Sequence, residues 1–548
     1  MRAMNKLPVL RASALAFSLA TLCFYGVWAY LIPTPDLLWQ LRYPPTRRHF
    51  ATFVGCILLL TLLLLQGYLL IRKSKSAGLK KWGDSGFVIL SSLVLIRPLR
   101  DLIPFLPAPV AAYSHKVVFL LAGLLCLSSA VIGLKPALAL RKPILIGLIN
   151  VLLLLSPLGL LISAKALSYV WSNPGCINDL DEFARSTPAA PSPQRVILLV
   201  FDELAYHRVF VDRPVDVILP ELDRLAKQSF NASQVYSPNT STQLSFFSLF
   251  TGHYVLRKQV QPDSQVVAEF ADQPGTWVAL NEQPSIFSDL LKLGYASAHV
   301  GWGASYGRVF GKDLAAFYFN ATPPPITCLP QDQKLTQIPA LALHMFYDML
   351  NTFPGVLKFN LIGYQTFEKN AHMQCVQTTV GFGKIWITNL NYSFVVIHIP
   401  VPHQPYIYDR KQDRFSLEAD PTTGYFDNLV LSDTVLGRLR RFMETQGLWD
   451  KSTVILTSDH SWRRSQEYDG HKDRRSPLLI KLPFQQQTSG YQEALNTLAL
   501  HDLIPELVQG KIETPEQLKQ WFDANRLRFE HDGNFFNYEG SHEFEGHI

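Results

Sequence analysis

The chain has 548 residues, 48% of them hydrophobic, and a formal net charge of +6 at pH 7. That length admits more than one domain, and the small positive charge, part of it in loops between apolar stretches, carries no nucleic-acid signature. The six cysteines have no CxxC spacing, which excludes a thiolate zinc or redox centre of that kind.

Five apolar stretches fill the first third, at about residues 10–32, 51–71, 87–106, 117–138 and 144–167. Each is near the ~20 residues that a bilayer-spanning helix needs. Five in succession with almost no internal charge do not read as buried helices of a soluble protein. The third, interrupted by Arg97, Arg100 and Asp101, is the weakest. A cleaved signal peptide is the alternative for the first. Gly26-Val27-Trp28-Ala29-Tyr30 stays apolar and aromatic where a small-residue cleavage site would stand, which favours an uncleaved anchor. Basic residues cluster at Arg2, Lys6 and Arg11, from Arg72 to Lys81, and at Lys135, Arg141 and Lys142. Five spans put all three clusters on one side, which the positive-inside rule makes cytoplasmic. Everything past residue 170 is then exported; Arg42, Arg47 and Arg48 weaken this bias without reversing it. Cys23, Cys56 and Cys126 lie in apolar stretches and read as small fillers. Cys176, Cys328 and Cys375 lie in the exported part, where one internal disulfide is the maximum and Cys328–Cys375 is the expected pair.

A Pro-rich polar stretch, residues 186–193, reads as a linker. The expected organisation is a transmembrane domain of about five helices over 1–170, a linker over 171–193 and an extracytoplasmic domain over 194–548. Residues 195–201 hold a continuous apolar run of strand length, the mark of a buried parallel strand. Strand patterns follow at 296–300, 394–399 and 453–457. Helical patterns fall at 220–228, 285–293, 426–446 and 492–509. This alternation predicts an α/β domain with a mostly parallel sheet. Ligands in such sheets gather at the C-terminal strand ends, where Asp202, Glu203, His403, Asp459 and His460 stand.

Asp202-Glu203 or Asp459-His460 alone could be helix caps or loop solvation. Together they supply carboxylate and imidazole donors suited to a divalent ion such as Zn²⁺, or Mn²⁺; Ca²⁺ prefers more oxygen ligands. Thr242 precedes the apolar run 246–250 and reads either as a helix cap or as a hydroxyl that a metal ion activates. Thr240, Ser241 and Ser245 compete for that role. His403 lies in a Pro-flanked loop after a strand, and His398 within that strand reads as packed. His471 is close enough in sequence to reach back across one loop. Arg463, Arg464 and Lys472 could hold a phosphate or form a solvated face.

With these residues the chain resembles the sulfatase-like branch of the alkaline phosphatase superfamily over about residues 194–510. The resemblance is carried by the segment from Val196 to Leu204, by Ser248-Leu249-Phe250-Thr251-Gly252-His253-Tyr254, by Tyr425-Phe426-Asp427-Asn428 through Asp433, and by Val454-Ile455-Leu456-Thr457-Ser458-Asp459-His460. Five preceding spans are similar to the bacterial phosphoethanolamine transferases and lipoteichoic-acid phosphoglycerol transferases. The resemblance implies metal ligands at Glu203, Thr242, Asp459 and His460, with Asp202 matching an additional acidic ligand of sulfatases. It implies substrate-binding or second-metal roles for His403 and His471, beside Lys472. Sulfatases carry Cys/Ser-x-Pro-x-Arg at the nucleophile; here Thr242-Gln243-Leu244-Ser245-Phe246 lacks both the Pro and the Arg. The Gly-Lys-Trp-His element is Val300-Gly301-Trp302-Gly303, and Asp-His-Gly-Glu is Asp459-His460-Ser461-Trp462. Sulfate-ester hydrolysis is therefore disfavoured.

The implied activity is metal-dependent transfer of a phospholipid head group, through a phospho-Thr intermediate, from a membrane donor to an envelope lipid or glycan. The implied setting is a bacterial inner membrane with the catalytic domain in the periplasm. A phosphodiester or sulfate-ester hydrolase and a non-catalytic lipid-binding sensor are the rivals. Sequons at Asn231, Asn239, Asn320 and Asn391 leave a eukaryotic extracytoplasmic setting open. The topology is testable: a cysteine at Ser192 should react with an impermeant maleimide in intact cells. Labelling only after lysis would reverse the orientation.

Overall fold

The structure is a computed structural model that describes residues 9–31, 47–101, 137–172, 182–184, 192–261, 265–303, 306–320, isolated helical positions between 338 and 349, 364–419 and 423–530. The chain divides into two compact units, one of residues 1–37, 43–177 and 323–364, the other of residues 38–42, 178–322 and 365–548.

The first unit is helical: α1 (Val9–Cys23), α2 (Tyr25–Leu31), α3 (Arg47–Lys73), α4 (Ala77–Asp101) and α5 (Ala137–Ser172). Among the described residues, two segments are long and apolar enough to cross a membrane, Arg47–Lys73 and Leu145–Ser168. Leu58, Leu59, Leu62 and Leu63 of α3 and Leu154, Leu160 and Leu161 of α5 are exposed. Such leucine faces are costly in water and stable in hydrocarbon. Phe24, Phe53, Ile57 and Leu152 pack inward. The expected third stretch lies partly on α4 and partly outside the described residues. The fourth lies almost wholly outside them, as do Cys126, Cys176 and Cys328, and with Cys328 the expected disulfide.

The second unit is built on a nine-stranded sheet. Its strands are β1 (Glu182–Ala184), β2 (Arg195–Phe201), β3 (Phe230–Ala232), β4 (Ala296–Trp302), β5 (Ala316–Asn320), β6 (Tyr392–Ile399), β7 (Ser452–Ser458), β8 (Leu478–Lys481) and β9 (Ser489–Tyr491). They lie in the order β1-β5-β4-β6-β2-β7-β8-β3-β9. The five central strands from β5 to β7 run parallel, and β8 turns antiparallel beside β7. Helices cover both faces: α6 (Pro220–Lys227), α7 (Thr242–Thr251), α8 (Ile286–Lys292), α9 (Tyr364–Thr388), α10 (Gly424–Thr445), α11 (Leu500–Val508) and α12 (Pro515–Asn525). Along β2, Val196, Leu198 and Val200 meet α7, α8, α11 and α12, while Ile197, Leu199 and Phe201 meet α6, α9 and α10. Burial on both faces is why β2 reads as an unbroken apolar run. The Arg195 guanidinium donates to the carbonyls of Ile387 (2.7 Å) and Tyr392 (3.1 Å), tying the end of α9 and the start of β6 to β2.

α7 ends at Gly252, whose φ of +74° and N–H bond to the Ser248 carbonyl (2.8 Å) stop the helix. A Cβ there would meet the His501 ring at 2.8 Å, so glycine is required twice over. The expected helix at 492–509 is shorter than its pattern. Leu495 and Asn496 pair with Val235 and Tyr236, a 3₁₀ turn spans Thr497–Ala499, and only Leu500–Val508 is α-helical. Asn239, one of the sequon asparagines, is fully buried and cannot carry a glycan in this fold. Ser192 is half-buried, its hydroxyl 2.8 Å from the Val508 carbonyl; Val215, 97% exposed, is the cleaner labelling position on the same unit.

Phe250 of α7 is fully buried against Phe287 and Phe310, with ring centroids 4.8 and 5.5 Å away. Phe250→Ala should cost about 3–5 kcal/mol, read as a lowered unfolding temperature of the purified protein.

Candidate active site and metal centre

Strands β6, β2 and β7 end at one level. Ile399 and Ser458 both pair with Phe201, and His398 lies opposite Val200, as does Thr457. Asp202 and Asp459 therefore leave the sheet side by side. Side chains alternate along a strand, so His398, like Val200, faces α7. Its ring rests on Phe246 with centroids 4.5 Å apart. Thr242 is the first residue of α7 and comes to the same place.

Asp202, His398 and Asp459, all buried, each offer one donor atom, and these atoms lie within 4.8 Å of one another. Two donors at ~2.1 Å from one ion stand at most ~4.2 Å apart, so a small closure makes the set a divalent site. The hydrogen bonds point the same way. Asp459 Oδ1 accepts the backbone N–H of Glu203 (3.1 Å) and of His460 (2.8 Å). Asp202 Oδ2 accepts the Trp302 indole N–H (3.0 Å) and lies 3.6 Å from His398 Nε2. Asp202 Oδ1, Asp459 Oδ2 and both His398 nitrogens have no hydrogen-bond partner among the described residues. Each carboxylate is thus held by one oxygen and presents the other bare. Bare buried acceptors are destabilising, and a cation bound between them relieves that cost.

The charges agree. Burial alone would raise the Asp202 carboxyl, but His403, His398 and His460 overcome it and hold it well below the usual range. Burial and the charge of Asp202 push Asp459 up. Burial, with His403 beside it, takes His372 down to about 3. That imidazole stays neutral and packs edge-on against Trp302, centroids 5.3 Å apart.

Thr242 Oγ1 is 3.2 Å from His460 Nε2. His460 Nδ1 lies 3.0 Å from the Ser461 carbonyl, an acceptor, so in the neutral ring Nδ1 carries the hydrogen and Nε2 is left to accept the Thr242 proton. Nε2 is also 3.3 Å from Asp459 Oδ2. Ser245, a rival hydroxyl, donates instead to the Asn239 carbonyl (2.9 Å).

Glu203 has a φ of +65°, a conformation that costs a non-glycine residue on the order of 1–3 kcal/mol. Tyr425 holds it from both sides, donating to the Glu203 carbonyl (2.9 Å) and accepting the Ala205 N–H (3.2 Å). The Glu203 carboxylate receives Arg463 Nε at 2.8 Å, so it lies on a guanidinium and outside the three-residue cluster. Arg463 Nη2 is 3.1 Å from His403 Nε2, and His403 Nδ1 donates to the Gln404 carbonyl. Asn428 secures that loop, donating to the His403 carbonyl (3.0 Å) and accepting the Ile407 N–H (3.0 Å). His471 is highly exposed; it stacks on His207 with centroids 6.4 Å apart and lies 3.6 Å from Asp469. Lys472 follows it on the same exposed loop. A second acidic group, Asp212 and Asp469 with His207, is gathered around the fully buried Arg208, which pairs with the two carboxylates at 2.9 and 2.6 Å. A guanidinium already fills that site.

A sulfatase family profile matches residues 194–509, more than half of the chain. The chain belongs to the sulfatase family. Members of this family are enzymes, hydrolases and transferases, that use a divalent metal. Similar solved structures include Ps i-CgsB in complex with k-i-k-neocarrahexaose, at 17% identity and TM-score 0.41 over 61% of this chain and 77% of that one. A Vibrio parahaemolyticus protein of the alkaline phosphatase superfamily aligns at 14% identity and TM-score 0.34, over 60% and 70%. The phosphonate monoester hydrolase of Agrobacterium radiobacter aligns at 13% identity and TM-score 0.33, over 59% and 78%. No curated protein matches the chain.

His398 and Trp302 belong to this candidate site, one as a donor of the cluster and the other as the indole bonded to Asp202, and neither stood out in the sequence. The signal for His398 was an imidazole one residue from the C-terminal end of an otherwise apolar strand. An amide at Asp459 keeps an oxygen for the two backbone N–H groups but replaces the bare Oδ2 with a group that cannot ligate. Asp459→Asn should therefore lose bound metal in elemental analysis and keep the fold by circular dichroism. Unchanged metal content would remove Asp459 from the ligand set.

Proposed function

We propose that the chain is a membrane-tethered, metal-dependent transferase. It moves a phospholipid head group of the phosphoethanolamine or phosphoglycerol kind, through a phospho-Thr242 intermediate, to a lipid or glycan of the cell envelope. The observation that carries the reading is the Thr242 hydroxyl at the first turn of α7, 3.2 Å from the accepting nitrogen of His460. The sulfatase-family match and the two apolar helices of the first unit support it. The lack of the Pro and Arg of the sulfatase nucleophile motif counts against sulfate-ester hydrolysis.

Asp202, His398 and Asp459 would hold the metal, with Thr242, His460 and Glu203 around it. Zinc is the expected ion and manganese the alternative. When bound there, a divalent ion neutralises charge on the transferring phosphoryl oxygens and favours the Thr242 alkoxide. His460 Nε2 receives the Thr242 proton as the Oγ–P bond forms and the P–O bond to diacylglycerol breaks. That proton ends on the diacylglycerol hydroxyl, so the half-reaction is proton-neutral. An acceptor hydroxyl then forms its O–P bond as the Thr242 Oγ–P bond breaks, its proton passing through His460 Nε2 back to Thr242 Oγ, and the cycle closes. The first backbone N–H groups of α7 are oriented to receive phosphoryl oxygens, and His403, His471 and Lys472 are the proposed head-group contacts. Tethering to the bilayer keeps donor and product in one plane with the enzyme. The proposed setting is the bacterial inner membrane, with this domain in the periplasm.

A hydrolase shares the first half-reaction and passes the group to water. A lipid-binding sensor shares neither half. Vesicles of phosphatidylethanolamine or phosphatidylglycerol with a labelled head group should label wild-type protein covalently and leave Thr242→Ala unlabelled, with at least ~10³-fold lower turnover. Discharge of the label onto an envelope lipid or glycan supports transfer; discharge to water alone supports the hydrolase. Full activity of Thr242→Ala ends the catalytic reading.

A further inference from the structure

We propose that Arg463 is the anion-binding cation of this site, holding the non-reacting oxygens of the phosphoryl group at a position where a second metal ion would otherwise be needed. The inference deepens the catalytic reading above by giving the substrate's phosphoryl group its recognition residue.

Charge is the first argument. The Arg463 guanidinium, charged like any arginine side chain, lies on Glu203 at 2.8 Å and within electrostatic reach of Asp202 and Asp459. One divalent ion and one guanidinium balance three carboxylates. A second divalent ion would leave the pocket doubly positive, and the carboxylate most able to bind it, Glu203, is already taken at 2.8 Å.

Position is the second. The side chains of Asp202, His398 and Asp459 are at most 2% exposed, whereas that of Arg463 is 40% exposed. The guanidinium therefore lies between the dry cluster and solvent, where an incoming anion arrives. Arg464 next to it turns to Glu467 (2.8 Å).

Orientation is the third. Nε is fixed on Glu203, whose backbone is fixed by Tyr425 and Asp459. Nη2 meets His403 Nε2 at 3.1 Å, while His403 Nδ1 donates to the Gln404 carbonyl. A phosphoryl oxygen makes a stronger, charge-assisted bond than an imidazole lone pair and displaces it. The planar fork then meets two phosphoryl oxygens together, and His403 is released toward the same anion.

The test separates this from the transfer reading by needing no turnover. Inorganic phosphate is titrated calorimetrically into full-length, metal-loaded Thr242→Ala protein in detergent. Saturable binding is expected. Adding Arg463→Met should weaken it roughly 30-fold, and Arg463→Lys, which keeps charge without the fork, by less. Metal content should stay at one ion per chain throughout. If Arg463 merely neutralises Glu203, the Glu203→Gln/Arg463→Met pair will recover phosphate binding; the inference expects it to stay weak. An unchanged phosphate affinity in Arg463→Met, recovery in the double variant, no saturable binding to the parent, or two ions per chain overturns the inference. Arg463-dependent phosphate binding in a protein that transfers no head group sinks the transfer reading and leaves this one standing.

Discussion

Two carboxylates that leave adjacent parallel strands at one level cannot both remain ionised and unbridged in a dry interior. That repulsion between Asp202 and Asp459 is the constraint on which the site turns. Each carboxylate has one oxygen tied down, by Trp302 on one side and by backbone N–H groups on the other. The fold thereby concentrates the unpaired acceptors at a single point beside His398. The opposite pKa directions of the two acids follow: burial and then the charge of Asp202 raise Asp459, while the neighbouring histidines hold Asp202 down against burial. A metal ion at that point satisfies the coordination that hydrogen bonds leave open.

The surrounding architecture distributes strain to keep this geometry. Glu203 adopts its left-handed conformation so that its N–H reaches Asp459 while its side chain turns away to Arg463. Tyr425, from the helix that covers the opposite face of the sheet, locks that choice with one hydroxyl used as both donor and acceptor. Asn428, one turn further along α10, fixes the His403 loop. One helix on the far side of the sheet thus sets two loops beside the site, and Thr242, the proposed nucleophile, is carried by α7 from a third direction.

The parts of this fold that sequence made legible are those whose environment is uniform. β2, β6 and β7 are buried on both faces, so their apolar runs reveal them within two residues of their ends. Asp459 and His460 stood out because they follow such a run at the ligand-bearing edge. Register was not legible. His398 looks like a packed strand residue, and it is packed; only its level beside Val200 makes it a neighbour of Asp202. The partner of Glu203 was hidden for a similar reason, because Arg463 lies 260 residues away in sequence. The helix expected over 492–509 overran because its first residues spend their hydrogen bonds on a two-residue strand pair and an Asn496 cap.

The hydroxyl of Ser192, bonded to the end of α11, pins the chain just before it enters β2. That point lies at the start of β2, and the site lies at its other end, seven residues or about 23 Å away. The two ends of β2 are thus independent handles: a probe fixed beside Ser192 reports on the domain while the groups beyond Phe201 keep their surroundings.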